Sequence, residues 1–189
     1  MEFNYVINNR HSIRSFEKKK IPKPILKKII KDATKAPSAK NLQPWKFYII
    51  SSKEKRDKLE NCMKKSLKIF KKDIEKMPIK IKKKTVEFYN TMGNCQNVIL
   101  IYSKKNKSNN KNNLISVSAA IENLILSAVN NKLGTCWVGS FKTFEKKINQ
   151  MLKIKNEELV AGILIGYQKK DYTPLKRSKK KINEIIKFF

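Results

Sequence analysis

Apolar residues recur along this chain at two spacings, one helical and one alternating or continuous as in strands. Phe3, Tyr5, Val6 and Ile7 predict a short helix that ends near Asn8-Asn9. Pro22 and Pro24 open a second helix, because a fixed φ suits a first helical turn, and Ile25, Leu26, Ile29, Ile30 and Ala33 follow at helical spacing. Pro37 cannot continue that helix, so residues 36–44 read as a loop. Residues 45–51 (WKFYIIS) are aromatic and β-branched and predict a strand. A Lys-rich helix broken near Pro78 is predicted from Lys53 to about Tyr89. Residues 97–103 (NVILIYS) predict a second strand, followed by an Asn/Lys loop over 104–113.

Residues 114–131 form the most apolar helical stretch, with Ile115, Val117, Ala119, Ala120, Ile121, Leu124, Ile125, Leu126 and Val129 on nearly every face. A helix of that kind belongs in a core or at a subunit interface. Gly134 ends it, and residues 135–140 (TCWVGS) read as a short strand or a strand-edge turn. An amphipathic helix is predicted over 141–153. Residues 159–167 (LVAGILIGY) form an almost unbroken apolar strand, which predicts burial on both faces. The tail from Lys169 is basic and closes on Ile182, Ile185, Ile186, Phe188 and Phe189. With no repeat and no Gly/Ser linker, the expectation is one α+β domain with helices covering a small sheet. No apolar run reaches the ~18 residues of a membrane span, and no secretory leader pattern is present, so a cytoplasmic location is expected.

Charge changes the picture next. The 189 residues carry 44 Lys and Arg against 15 Asp and Glu, a net charge of +29. Such a balance brings nucleic acid to mind. The lysines are, however, spread over every predicted element, and aromatics are not interleaved with them as a base-stacking platform would need. Adhesion to polyanions at low salt follows from charge alone; a specific nucleic-acid site does not. Only Arg10, Arg14, Arg56 and Arg177 are arginines. In a chain that otherwise uses lysine for positive charge, a retained arginine points to a need for the planar, multidentate guanidinium. Two lie in Arg10-His11-Ser12-Ile13-Arg14 and one near the C-terminus, as if one anion were gripped from both chain ends. Arg56 lies outside every motif.

Familiar catalytic signatures are missing. The five glycines form neither GxGxxG nor GxxxxGK[ST], so a Rossmann cradle and a P-loop are excluded. GxSxG and HExxH are absent, and a single histidine, His11, limits nucleophilic triads and metal sites. Cys62, Cys95 and Cys136 are odd in number and widely spaced, which argues against a disulfide framework. If the chain is an enzyme, a bound cofactor carries its hard chemistry. The loop Ala36-Pro37-Ser38-Ala39-Lys40-Asn41-Leu42-Gln43-Pro44-Trp45 joins two stiffening prolines to amide and hydroxyl groups. It suits the edge of a heteroaromatic ring, or else it is a helix stop followed by turn residues.

These pieces together resemble the nitroreductase family of flavin mononucleotide (FMN) oxidoreductases, over nearly the whole chain. The matching stretches stand in the family's order: Arg10-His11-Ser12-Ile13-Arg14-Ser15-Phe16; the loop from Ala36 to Trp45; Ala119-Ala120-Ile121-Glu122-Asn123-Leu124-Ile125-Leu126; Leu133-Gly134-Thr135-Cys136-Trp137-Val138-Gly139-Ser140-Phe141; and Gly166-Tyr167 with Arg177-Ser178-Lys179. The resemblance implies a small, mostly antiparallel central sheet flanked by helices. It implies an intertwined homodimer with the long buried helix at its interface. Residues 1–189 would form one domain, with the tail from about 168 extending onto the partner. Each FMN site would draw on both subunits.

By the same resemblance, Arg10, Ser12, Arg177 and Lys179 would hold the FMN phosphate, with His11 contributing its backbone. Arg14 would lie at the pyrimidine edge, where a fixed cation favours the reduced ring. Ser38 and Asn41, on a loop stiffened by Pro37, would reach the ring from the partner subunit. Backbone N–H groups of Trp137, Val138 and Gly139 would approach N5, the glycine allowing close contact; alternatively Trp137 is a core aromatic and Cys136 a small core residue. NADH or NADPH would supply hydride through N5 to a nitroaromatic, quinone or similar acceptor in a ping-pong cycle. Neither a specific nucleic acid nor a membrane would be a partner. Two alternatives stay open: other FMN chemistry on this fold, such as enone reduction or dehalogenation, and a basic polyanion-binding protein without enzymatic activity. The chain departs from the family pattern at Ser116, where many members have Asp. It departs again over 61–94, a longer and more basic stretch in which no ring-contacting residue can be aligned.

Overall fold

The two most apolar strands of the pattern pair with each other at the centre of a sheet. The computed structural model describes residues 2–105, 110–175 and 178–189. Its strands are β1 (Trp45–Ile50), β2 (Asn97–Lys104), β3 (Gly134–Val138) and β4 (Glu157–Gly166), ordered β1-β2-β4-β3 with every neighbouring pair antiparallel. The α+β expectation with a small antiparallel sheet is met. Side chains of β2 alternate between two apolar layers: Val98, Leu100 and Tyr102 point one way, Ile99 and Ile101 the other. Both faces are therefore covered, which explains why β2 and β4 read as continuous apolar runs.

One layer is roofed by α2 (Lys23–Ala33) and α6 (Asn110–Asn130), through Leu26, Ile29, Val117, Ile121 and Leu124. The other is roofed by α3 (Lys53–Ile69) and α5 (Ile79–Thr91), through Leu59, Met63 and Phe88, and by Phe141. The remaining helices are α1 (Phe3–Asn9), α4 (Lys71–Glu75) and α7 (Glu145–Leu152).

Three boundaries differ from the pattern. The long helix starts at Asn110, four residues before the apolar run, because its polar first turn is anchored by hydrogen bonds. Asn113 Nδ2 donates to the Lys104 carbonyl at 3.2 Å, and Ser116 Oγ to the Asn112 carbonyl at 2.8 Å. The Lys-rich helix breaks at Phe70 as well as at Pro78. Residues 139–144 are a 3-10 turn, so the helix predicted from 141 begins at Glu145.

The exposed edge of β3 is capped by an extended segment, residues 12–17. Ser12 pairs with Thr135 and Phe16 with Gln168. Ile13 N donates to Thr135 O at 2.8 Å, Phe16 N to Gly93 O at 2.8 Å and Glu17 N to Tyr167 O at 2.9 Å, while Ser15 O accepts from Lys169 N at 3.1 Å. The β3 edge is thereby covered at Thr135, and residue 14 is held from three directions. Gly134 allows this approach, since a Cβ there would lie 2.6 Å from Ile13 Cγ1.

Gly162 on β4 is a packing requirement of another kind: a Cβ at that position would overlap the ring of the fully buried Phe141. Gly162→Ala is expected to destabilise the fold by about 1–3 kcal/mol through overpacking. Urea unfolding measures this, and an unchanged midpoint would mean that the Phe141 ring relaxes freely.

Candidate active site

Beside the capped edge lies a cavity of about 690 Å³. Its walls come from four separate stretches: Arg14 and Ser15 of the capping segment, the end of β3 from Cys136 to Gly139, α5 with the turn that follows it, and residues 169–175 of the tail. Of the residues singled out by sequence, Arg14, Trp137, Val138 and Gly139 are brought together here.

Arg14 is half-buried and makes no ion pair among the described residues. Its Nη1 donates to the Ser12 carbonyl at 3.3 Å, and its guanidinium carbon sits 5.8 Å from the centre of the Phe88 ring. A cation held against an aromatic face and left without a carboxylate is available to an anionic or electron-rich ligand. Trp137 is 42% exposed although its neighbours on β3 are buried, so the core reading of this tryptophan is corrected. It lines the cavity together with Cys136, Val138 and Gly139. Cys136 does behave as a core residue, only 3% exposed.

Other expected residues lie elsewhere in this chain. Ser12 stands next to the cavity without lining it, its carbonyl also receiving the Tyr172 hydroxyl at 3.5 Å. Arg10 is half-exposed, His11 and Lys179 are exposed, and none of them lines the cavity. Arg177 lies outside the described residues. Pro37, Ser38 and Asn41 sit away from this chain's own cavity, in a turn over the start of α6. Lys40, Asn41 and Gln43 there have φ of 53°, 54° and 45°, left-handed values that side chains seldom adopt. The turn is held by Gln43 N donating to Ser38 Oγ at 3.1 Å and by Ala39 N donating to Ser116 Oγ at 3.2 Å. The serine that departs from the family pattern thus anchors the turn directly.

Sequence reasoning missed the α5 wall. Met77, Ile81, Lys84, Thr85 and Phe88 face the cavity. Their one legible signal was the interruption at Pro78, which frees this helix from α3 and lets it fold back over the site. The tail's part, through Lys169, Asp171 and Tyr172, carried no signal beyond charge.

The nitroreductase family model matches residues 7–167, and the chain belongs to that family of FMN oxidoreductases. It is 31% identical to a nitroreductase family protein from Clostridium novyi NT, whose crystal structure it matches with a TM-score of 0.66 over 90% of this chain and 87% of that one. It is 24% identical to the 4-nitrobenzoate reductase of Nocardioides sp. (strain LMS-CY), over 88% of this chain and 80% of the relative. The FMN-dependent nitroreductase NfnB from Mycobacterium smegmatis, solved in complex with NADPH, shares the fold at a TM-score of 0.80 and 16% identity, over 98% and 97% of the two chains.

The residues present fit the cofactor of that family. The cavity volume falls in the roughly 300–1,000 Å³ range of cofactor pockets. A Cβ built on Gly139 meets no atom within 4 Å, so packing does not require this glycine, and its bare backbone faces open space. An exposed aromatic, Trp137, and Arg14, a cation without an ion pair among the described residues, also line the cavity.

Burial pushes the thiols up, Cys136 to about 11 against the opposing pull of Arg14 and Cys95 to about 12. Cys62 is raised in the same direction. Native protein is expected to be inert to a thiolate-directed disulfide reagent at pH 8 until denaturant is added; rapid native labelling of Cys136 would contradict this. The ordinary thiol value is 9.0, and these folded-state values lie above it. The stability they contribute is therefore complete below pH 9 and is lost as pH rises through about 11 to about 12. An unfolding midpoint that falls across this alkaline range, and less so in Cys95→Ser, is the expected readout.

Proposed function

We propose that this chain is an FMN-dependent oxidoreductase that draws on NADH or NADPH and reduces a small aromatic or quinone acceptor, nitroaromatics included, as a homodimer. The observation that carries this reading is the cavity itself, which gathers Arg14, Trp137 and Gly139 from distant parts of the chain around one open space. The family match supports it, as do the FMN and NADPH of NfnB and the substrate named for the 4-nitrobenzoate reductase. The chemistry that bound FMN supplies is hydride exchange in two half-reactions, first with the nicotinamide and then with the acceptor.

The chain's own residues do the rest. Arg10, Ser12, Arg177 and Lys179 would hold the phosphate at the margin of the cavity, each charge-assisted hydrogen bond contributing about 1.5–3 kcal/mol. Arg14, which lines the cavity, would hold positive charge beside the ring and so favour its reduced form. Backbone N–H groups of residues 137–139 would orient the ring, and Gly139 would leave room for it. Phe88 and Ile81, both lining the cavity, would help to exclude water from it. Little proton traffic is required of side chains, consistent with a single histidine.

The dimer accounts for two further features. Apolar Phe3, Tyr5 and Ile7 on α1, Ile115 on α6 and the tail residues Ile182, Ile185, Phe188 and Phe189 are exposed, and a dimer interface would cover such residues. The turn carrying Pro37, Ser38 and Asn41 points away from its own cavity. Ser38 Oγ and Asn41 Oδ1 accept hydrogen bonds within the turn, which leaves the hydroxyl proton and Nδ2 to donate across an interface to the partner's ring.

Purified protein is expected to be yellow, to bleach anaerobically with NADH or NADPH and to recover its colour on addition of a nitroaromatic or quinone. A colourless dimer that takes up no FMN but retards DNA at moderate salt would replace this reading with polyanion binding. A flavoprotein reoxidised only by an enone or a halogenated aromatic would assign it the other chemistry. Arg177→Ala is expected to weaken FMN binding about tenfold or more, the loss of at least one charge-assisted bond. Arg14→Ala is expected to move the flavin midpoint potential in the negative direction, which a dye-equilibration titration reads.

A further inference from the structure

Arg56 is the arginine without a motif, and the fold gives it an unusual place. It is half-buried on α3, and its Nη1 donates to the carbonyl of Cys95 at 3.1 Å, 39 positions along the chain. Its Nε is buried with no partner among the described residues. The carbonyl it grips closes a strained turn. Met92, Gly93 and Asn94 have φ of 46°, 60° and 62°, three left-handed residues in succession, two of them not glycine. Local bonds alone are few: Gly93 N donates to Thr91 Oγ1 at 3.1 Å, Cys95 N to Met92 O at 3.2 Å and Gln96 Nε2 to Asn94 O at 2.9 Å.

This turn is the surface on which the cofactor-facing segment rests. Gly93 lies so close to the Arg14 backbone that a Cβ on it would collide with the Arg14 carbonyl oxygen. Its own carbonyl accepts from Phe16 N at 2.8 Å, and both Gly93 and Asn94 line the cavity beside Arg14. A shift of the turn is therefore a shift of Arg14.

We propose that Arg56 is a positioning residue for the bound flavin: by clamping the Cys95 carbonyl it fixes the left-handed turn at 92–94, and through that turn it sets where Arg14 meets the ring. The proposal rests on the FMN reading given above. It also supplies a reason for arginine at position 56. A guanidinium is weakly hydrated and keeps its charge and its planar fork when half-buried, whereas a lysine ammonium there loses strong hydration for one carbonyl.

The test is a double-mutant cycle in the FMN-reconstituted protein: wild type, Arg56→Met, Arg14→Ala and the double variant, with Arg56→Lys added. The readouts are the FMN dissociation constant, the midpoint potential and the urea midpoint of unfolding. Arg56→Met is expected to weaken FMN binding about three- to tenfold, within the range of coupling between residues of one network, and to move the potential in the negative direction. Both changes should vanish when Arg14 is already alanine, while any loss of urea stability persists in both backgrounds. Arg56→Lys should fold as wild type does and recover only part of the binding. Flavin effects that are absent, or the same with and without Arg14, would overturn the positioning role and leave the FMN reading standing. Wild-type protein that takes up no FMN would overturn both.

Discussion

The site depends on the way residues 12–17 are bound by their main chain. Four backbone hydrogen bonds tie this short extended segment to β3, to the turn after α5 and to the stretch that follows β4. Each of those elements has its own place in the core, so the segment is located by three independent supports. Backbone bonds of this kind specify position without reference to side chains, which frees Arg14 to face the cavity. Glycines at the two tightest approaches, Gly93 and Gly134, are the reason the segment can come so near.

That constraint sorts the positive charge. Most lysines are solvated; pairs such as Lys53 with Asp57 and Lys58 with Glu54 are exposed and contribute little, whereas Lys46 meets the buried Glu157. The arginines divide by what the guanidinium does. Arg14 brings to the cavity a charge with no ion pair among the described residues, while Arg56 uses its reach to hold a carbonyl on a strained turn. Retained arginine in this Lys-rich chain thus stands in two kinds of place, one lining the cavity and one holding a backbone carbonyl.

Much of the fold was legible because apolar periodicity reports burial directly. The strands at 45, 97 and 159 and the helix opened by Pro22 came out within a few residues. The errors fell where hydrogen bonds, not apolar contacts, set the structure. The polar first turn of α6 is fixed by Asn113 and Ser116, and the 3-10 turn at 139–144 carries residues that also suit a helix. In the site, motif matching found Arg14 and the 137–139 wall, since both are local features of the chain. The α5 wall went unseen because Lys-rich helical sequence is the same whether it faces solvent or a cavity.

By itself the sequence determined the element types, the burial of β4 on both faces, and the family. These follow from local residue choice and from order along the chain. Only the tertiary structure decided that Trp137 is exposed, that the turn carrying Ser38 and Asn41 lies away from its own cavity, and that Arg56 reaches the Cys95 carbonyl 39 positions away. Each of these depends on which distant segments are packed together, and contact between distant segments leaves no local mark.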